Sequence, residues 1–133
     1  MTAASAVGIV LVSHSAELAQ GAAHLAGQVS GGAVTIVAAG GTDEGELGTS
    51  AAKVIRGLSL ADGGAGVVVL PDLGSAVLTV RAVLSDDGHR ENVVLADAPF
   101  VEGAVAATVT AAAGADIKAV AAAAEEARHA RKL

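Results

Sequence analysis

The sequence predicts an α/β protein: an open, mostly parallel sheet of strand order 2-1-3-4, with helices on both faces and an extra strand possible at one edge. Three observations carry this. Short apolar runs alternate with segments of helical periodicity, each run ends in a loop rich in Gly, Ser, Asp or Pro, and connections between parallel strands are almost always right-handed crossovers. The first run, Val7–Val12, reads as a buried strand. Leu18, Ala22, Leu25 and Val29, spaced i, i+4, i+7, i+11, read as the buried face of a first helix. A second strand over Ala33–Ala39 leads to a helix with Leu47, Ala51, Val54 and Leu58 on one face. The third strand, Gly66–Leu70, precedes a helix with Leu73, Val77, Val80 and Leu84. The fourth, Asn92–Ala96, precedes one with Val101, Val105, Thr108 and Ala112. A fifth helix, Ile117–Ala127, ends in a basic tail at about 128–133.

The 133 residues fit one compact domain over 1–133 and leave no room for two ordinary cores. Mean hydropathy is +0.60, yet the apolar excess is mostly alanine. The longest apolar candidate, Gly103 to Ala124, is broken by Asp116 and Lys118, so no membrane span is expected. Eight basic residues against 14 acidic ones give a net charge of −6, and aromatic residues make up 1% of the chain. Nucleic acid is therefore not expected as a partner, for want of both basic patches and stacking platforms. With no cysteine there is no disulfide, thiol or iron–sulfur chemistry. The start of the chain lacks a basic segment before a short apolar run, which is read as a cytoplasmic location.

In an open α/β sheet the functional site lies beyond the carboxyl ends of the strands, where the strand order reverses. For order 2-1-3-4 that point falls between strands 1 and 3, so Ser13-His14-Ser15 and Pro71-Asp72-Leu73-Gly74-Ser75 should meet across a crevice. A neutral imidazole is a nucleophile, and a carboxylate that holds one ring N–H fixes the tautomer and leaves the other nitrogen free. His14 with Asp72 fits that requirement. A phosphoryl group placed on His14 would need N–H donors; Gly74 and Ser75 open a helix at the same crevice, with Ser15 as a further phosphate contact. The assembly suits a relay that accepts and passes on phosphate. No Arg or Lys stands in either loop.

Each of these residues also has a plainer reading. His14 could be a capping histidine at a strand end, Asp72 the N-cap of the following helix, and Ser75 a bystander in its first turn. His24, His89 and His129 lie in a helix, a turn and the tail and are read as solvated; no metal-ligand spacing links the histidines, and no cofactor is expected. The glycine-rich loop Gly40-Gly41-Thr42-Asp43-Glu44-Gly45 lacks the Lys and spacing of a Walker A loop. It serves as a flexible connection, or else Thr42 and Asp43 line the crevice.

The chain resembles the phosphotransferase subunit of the bacterial phosphoenolpyruvate-dependent dihydroxyacetone kinases, whose N-terminal domain is a mannose-family IIA domain of the phosphotransferase system. The resemblance rests on Val10-Leu11-Val12-Ser13-His14-Ser15, on Gly41-Thr42-Asp43 with Leu47-Gly48-Thr49, and on Pro71-Asp72-Leu73-Gly74-Ser75-Ala76. Ala98-Pro99-Phe100-Val101-Glu102-Gly103 and Ala113-Gly114-Ala115-Asp116-Ile117 complete it. It implies that His14 accepts phosphate from the phosphocarrier histidine protein, with Asp72 beside it. It further implies that the acceptor is ADP held by the nucleotide-binding subunit of the kinase, which then serves the dihydroxyacetone-binding subunit. A cytoplasmic homodimer is the expected form. The D-L-G-S-A loop and the P-x-V-E-G segment set it apart from a sugar-permease IIA component that passes phosphate to a IIB domain. Two further alternatives are a small tetrapyrrole chelatase, which would need a second histidine across the cleft, and a non-catalytic regulatory module.

Overall fold

A computed structural model of the chain describes residues 5–86 and 92–133. Four parallel strands lie in the order β2-β1-β3-β4. They are β1 (Gly8–Ser13), β2 (Ile36–Gly40), β3 (Val67–Pro71) and β4 (Val93–Leu95). Helices α1 (Ala16–Ser30), α2 (Ala51–Ala61), α3 (Gly74–Asp86) and α4 (Phe100–Ala112) each follow a strand, and α5 (Ile117–Glu126) follows α4. The order and the parallel pairing are those expected from the sequence.

The two central strands are buried along their whole length. Because side chains alternate across a strand, β1 feeds two cores. Ile9 and Leu11 pack with alanines of α1, α4 and α5. Val10 and Val12 pack with Val54 and Leu58 of α2 and Val80 and Val83 of α3. Truncating one of these buried Leu side chains to Ala would cost about 2–5 kcal/mol.

The helix faces correct the periodicity reading. Helix α1 buries Ala19, Ala22 and Ala26, and turns Leu18, Leu25 and Val29 outward, each between 43% and 54% exposed. Helix α3 buries Ala76, Val80 and Val83, and α4 buries Gly103, Ala104, Ala107, Thr108 and Ala111, with Val101 exposed. In α1 small side chains mark the face in contact, and a reading weighted towards large residues finds the wrong side; on the other helices Val54, Leu58, Val80 and Thr108 are buried as expected. Helix α2 starts at Ala51, not near Leu47, because the Ser50 hydroxyl accepts the Lys53 amide and caps it there; Leu47 stays in the loop, 79% exposed.

Helix α5 is capped by Asp116, which accepts the Ala119 amide at 2.9 Å. The basic tail beyond it folds back on the β4–α4 loop. The Arg128 guanidinium donates to the Asp97 carbonyl, and Lys132 pairs with Glu102 at 2.8 Å. No helix among the described residues is long and apolar enough to cross a membrane. His24 and His129 are exposed, and His89 lies outside the described residues.

Candidate active site

The carboxyl ends of the two central strands deliver the site. Val12 pairs with Pro71, so the residues that follow each, Ser13-His14 and Asp72, emerge side by side. The Asp72 amide donates to the Val12 carbonyl at 3.0 Å and closes the junction. Beyond Ser13 the chain turns sharply: the Ser15 amide donates back to the Ser13 hydroxyl at 3.0 Å, an ST turn that projects His14 out of the sheet. Ser15 then caps α1, its hydroxyl accepting the Leu18 amide at 3.2 Å.

Asp72 is the hub. Its Oδ1 accepts His14 Nδ1–H at 2.9 Å and the Leu73 amide at 2.7 Å. Its Oδ2 accepts the Ser13 hydroxyl at 2.8 Å and the His14 amide at 3.1 Å. Burial alone would push the Asp72 carboxyl up. The hydrogen bonds from the His14 ring, Ser13, and the His14 and Leu73 amides outweigh it and hold the group below its ordinary value of 3.8. Four donors on two oxygens leave no place for a proton. Asp72 is thus a fixed anion that orients the ring rather than a base that removes its proton.

With Nδ1 bearing hydrogen toward Asp72, Nε2 carries the lone pair, and the Ser75 hydroxyl contacts it from the first turn of α3. The first amides of a helix have no intrahelical partner, so those of Gly74 and Ser75 stand at the same mouth. The His14 side chain is 23% exposed and that of Asp72 8%, which leaves the ring reachable and its anchor shielded.

The structure thereby brings together His14, Asp72, Gly74 and Ser75. It does not bring in Thr42 and Asp43, whose side chains are spent inside their own loop. Thr42 Oγ1 accepts the Glu46 amide at 3.0 Å, and Asp43 accepts the Ser50 hydroxyl. What that loop gives the site is backbone: the Gly41 amide donates to the Ser13 carbonyl at 3.1 Å and the Gly48 amide to the His14 carbonyl at 2.8 Å. Gly40 permits the approach, since a Cβ there would lie 2.5 Å from the Ser15 carbonyl oxygen.

Two residues escaped the sequence reading. Ser13, wholly buried, reads in the sequence only as the last residue before the histidine. Arg81 lies seven residues beyond Gly74, outside both loops, and nothing in its sequence position marks it. It shares one helix face with Val77, and both line a cleft of about 410 Å³ with Pro71, Asp72, Leu95 and Asp97. The cleft therefore opens between β3 and β4, on the side of Asp72 away from the crevice expected between strands 1 and 3. Among the described residues no three His, Cys, Asp or Glu side chains cluster as a metal site.

Comparison with known proteins agrees with this fold. Residues 8–121 match the family model described as the PTS system fructose IIA component. The phosphoryl donor subunit DhaM of the PEP-dependent dihydroxyacetone kinase of Pantoea ananatis is 42% identical over 119 residues, which cover 86% of this chain and 25% of that protein. The phosphoryl donor subunit DhaM of PEP-dependent dihydroxyacetone kinase 2 of Listeria innocua is 34% identical over 105 residues, covering 77% of this chain and 84% of that one. The chain thus spans a quarter of the Pantoea relative and most of the Listeria one. The crystal structure of a protein of unknown function superposes with a TM-score of 0.80 at 34% identity, covering 91% of this chain and 94% of the other. A IIA-type sheet with a histidine at the end of its first strand, matched over nearly the whole of its length, makes this chain a member of the PTS fructose IIA component family.

Proposed function

We propose that this chain is a phosphoryl relay of a phosphoenolpyruvate-dependent dihydroxyacetone kinase. It takes a phosphoryl group onto His14 from the phosphocarrier histidine protein and hands it to ADP held by the nucleotide-binding subunit, which serves the dihydroxyacetone-binding subunit. The observation that carries this reading is the His14 ring held by Asp72 at Nδ1 with Nε2 turned to the mouth of the site. The names of the relatives, phosphoryl donor subunits of such kinases, supply the system.

The Nε2 lone pair attacks the donor's phosphorus, the donor's N–P bond breaks, and its electron pair returns to the donor imidazole. The His14 ring gains positive character, which the Asp72 anion stabilises, while Nδ1 keeps its proton. Ser75 turns its hydroxyl from Nε2 to a phosphoryl oxygen, and the Gly74 and Ser75 amides take the others. The return step is the mirror image: a terminal oxygen of ADP attacks, and the N–P bond of His14 breaks with its electrons returning to Nε2. In-line transfer of this kind asks mainly for positioning and neutralisation of charge. A chain of net charge −6 leaves much of that neutralisation to the partner's divalent cation.

Incubated with phosphoenolpyruvate, enzyme I and the phosphocarrier protein, the wild type should gain one acid-labile, base-stable phosphate, and His14→Ala none. Mixed with the ADP-loaded nucleotide subunit, the labelled protein should lose it with equal formation of ATP, and chelation of magnesium should stop this second step alone. Equal labelling of His14→Ala in intact mass spectra, or transfer only to a permease IIB domain, overturns the proposal.

A further inference from the structure

Three buried polar side chains occur among the described residues, and two of them have local duties in helices. Ser50 caps α2, and Thr108 donates to the Ala104 carbonyl one turn back at 2.7 Å. Ser13 has no such duty: both of its hydrogen bonds run to the loop and the carboxylate that present the histidine. We propose that Ser13 is a positioning residue, whose hydroxyl sets the plane of the Asp72 carboxylate and, through it, the tautomer and direction of the His14 ring. The inference rests on the reading of His14 as the phosphorylated residue.

The hydroxyl works in two directions. As donor to Oδ2 at 2.8 Å it fixes the rotation of the carboxylate, and that rotation decides whether Oδ1 lies in line with Nδ1. As acceptor of the Ser15 amide it holds the turn that carries the ring outward. Without it Oδ2 would keep a single donor, the His14 amide, at a side chain 8% exposed where water has little access to replace the loss. The carboxylate would then be free to turn, and the ring could adopt the Nε2–H form that free histidine side chains prefer. In that form the nitrogen facing the partner bears a hydrogen and cannot attack phosphorus.

The test is the nitrogen-15 spectrum of the His14 ring in unphosphorylated protein at alkaline pH, read beside the rate of phosphorylation by the phosphocarrier protein. Wild type and Ser13→Thr, which keeps the hydroxyl, should show the Nδ1–H form. Folded Ser13→Ala should show a mixture with Nε2–H and a rate lower by about tenfold, as for a group that acts through the residue in contact. If Ala does not fold, Ser13→Cys, of nearly the same shape and a weaker donor, makes the same comparison. A variant without the hydroxyl that retains the Nδ1–H form overturns the proposal, whether its rate holds or falls. The spectrum needs no phosphoryl donor, so its outcome stands apart from that of the relay: labelling of His14→Ala would refute the relay and leave the tautomer result intact.

Discussion

Two loops flank His14, and they contribute in opposite ways. The β3–α3 loop and the first turn of α3 send side chains into the site: Asp72 to Nδ1 and Ser75 to Nε2. The β2–α2 loop, richer in glycine and in residues that look reactive, spends Thr42 and Asp43 on hydrogen bonds of its own and offers amides, from Gly41 and Gly48, to the carbonyls of Ser13 and His14. One loop supplies chemistry, the other a brace. Residue type alone does not distinguish them, since Thr42 and Asp43 are as suited to a phosphate site as Ser75 and Asp72. The difference lies in whether a side chain has hydrogen-bond partners outside its own loop, as Asp72 has in Ser13 and His14 and Asp43 and Thr42 have not.

Substitutions should separate the two roles. The largest effect is expected at Asp72→Asn. The amide can still accept the Leu73 amide, but it no longer offers a charge to the developing imidazolium, and phosphorylation of His14 should slow on the order of 10²–10⁴-fold in quench-flow. The same variant should change the acid limb of stability. The Asp72 carboxyl is depressed in the fold, so its contribution is fully present above about 3.8 and is lost as pH falls through the lower folded-state value. Wild type should therefore lose stability more steeply than Asp72→Asn below that range when unfolding is followed by circular dichroism. A rate within threefold of wild type would reduce Asp72 to a helix cap.

A smaller and different effect belongs to the brace. Gly48 has φ +138°, and a Cβ there would lie 2.8 Å from Thr42 Cγ2. Gly48→Ala should cost about 1–3 kcal/mol of stability through backbone strain. It should slow labelling only modestly, since the reacting atoms are untouched; a loss as large as that of Asp72→Asn would mean that the brace takes part in transfer. Smallest of all should be Thr42→Ala, which removes one hydrogen bond within the loop. It should cost about 1 kcal/mol in a denaturant titration and leave labelling unchanged. A clear drop in rate would return Thr42 to the crevice.

Much of this could be read before any coordinates. The strand ends at Val12 and Leu70 lie within a residue of the observed ends, because apolar runs stop abruptly at Ser13 and Pro71, and strand order then brings His14 to Asp72. The helix faces could not be read the same way: the apolar period of Leu18, Leu25 and Val29 is real, but alanines make the packed side. Ser13 stayed hidden because a serine at a strand end looks like the start of a loop, and only the register of β1 against β3 shows the carboxylate lying over it. Arg81 was out of sight for a simpler reason: two helical turns return it to the cleft that its sequence number seems to leave.

The position of β1 and β3 at the middle of the sheet has a consequence for encounter with partners. Both strands are covered on both faces and hydrogen-bonded on both edges, so the ends that carry His14 and Asp72 move only with the core itself. No hinge or closing flap is needed to assemble the pair. If the chain is the relay proposed above, a partner would meet a site that is already set, and hand-over would depend on the orientation of encounter and on how soon the partner leaves. In such a relay, a mould that does not tighten around its cargo would favour turnover over capture.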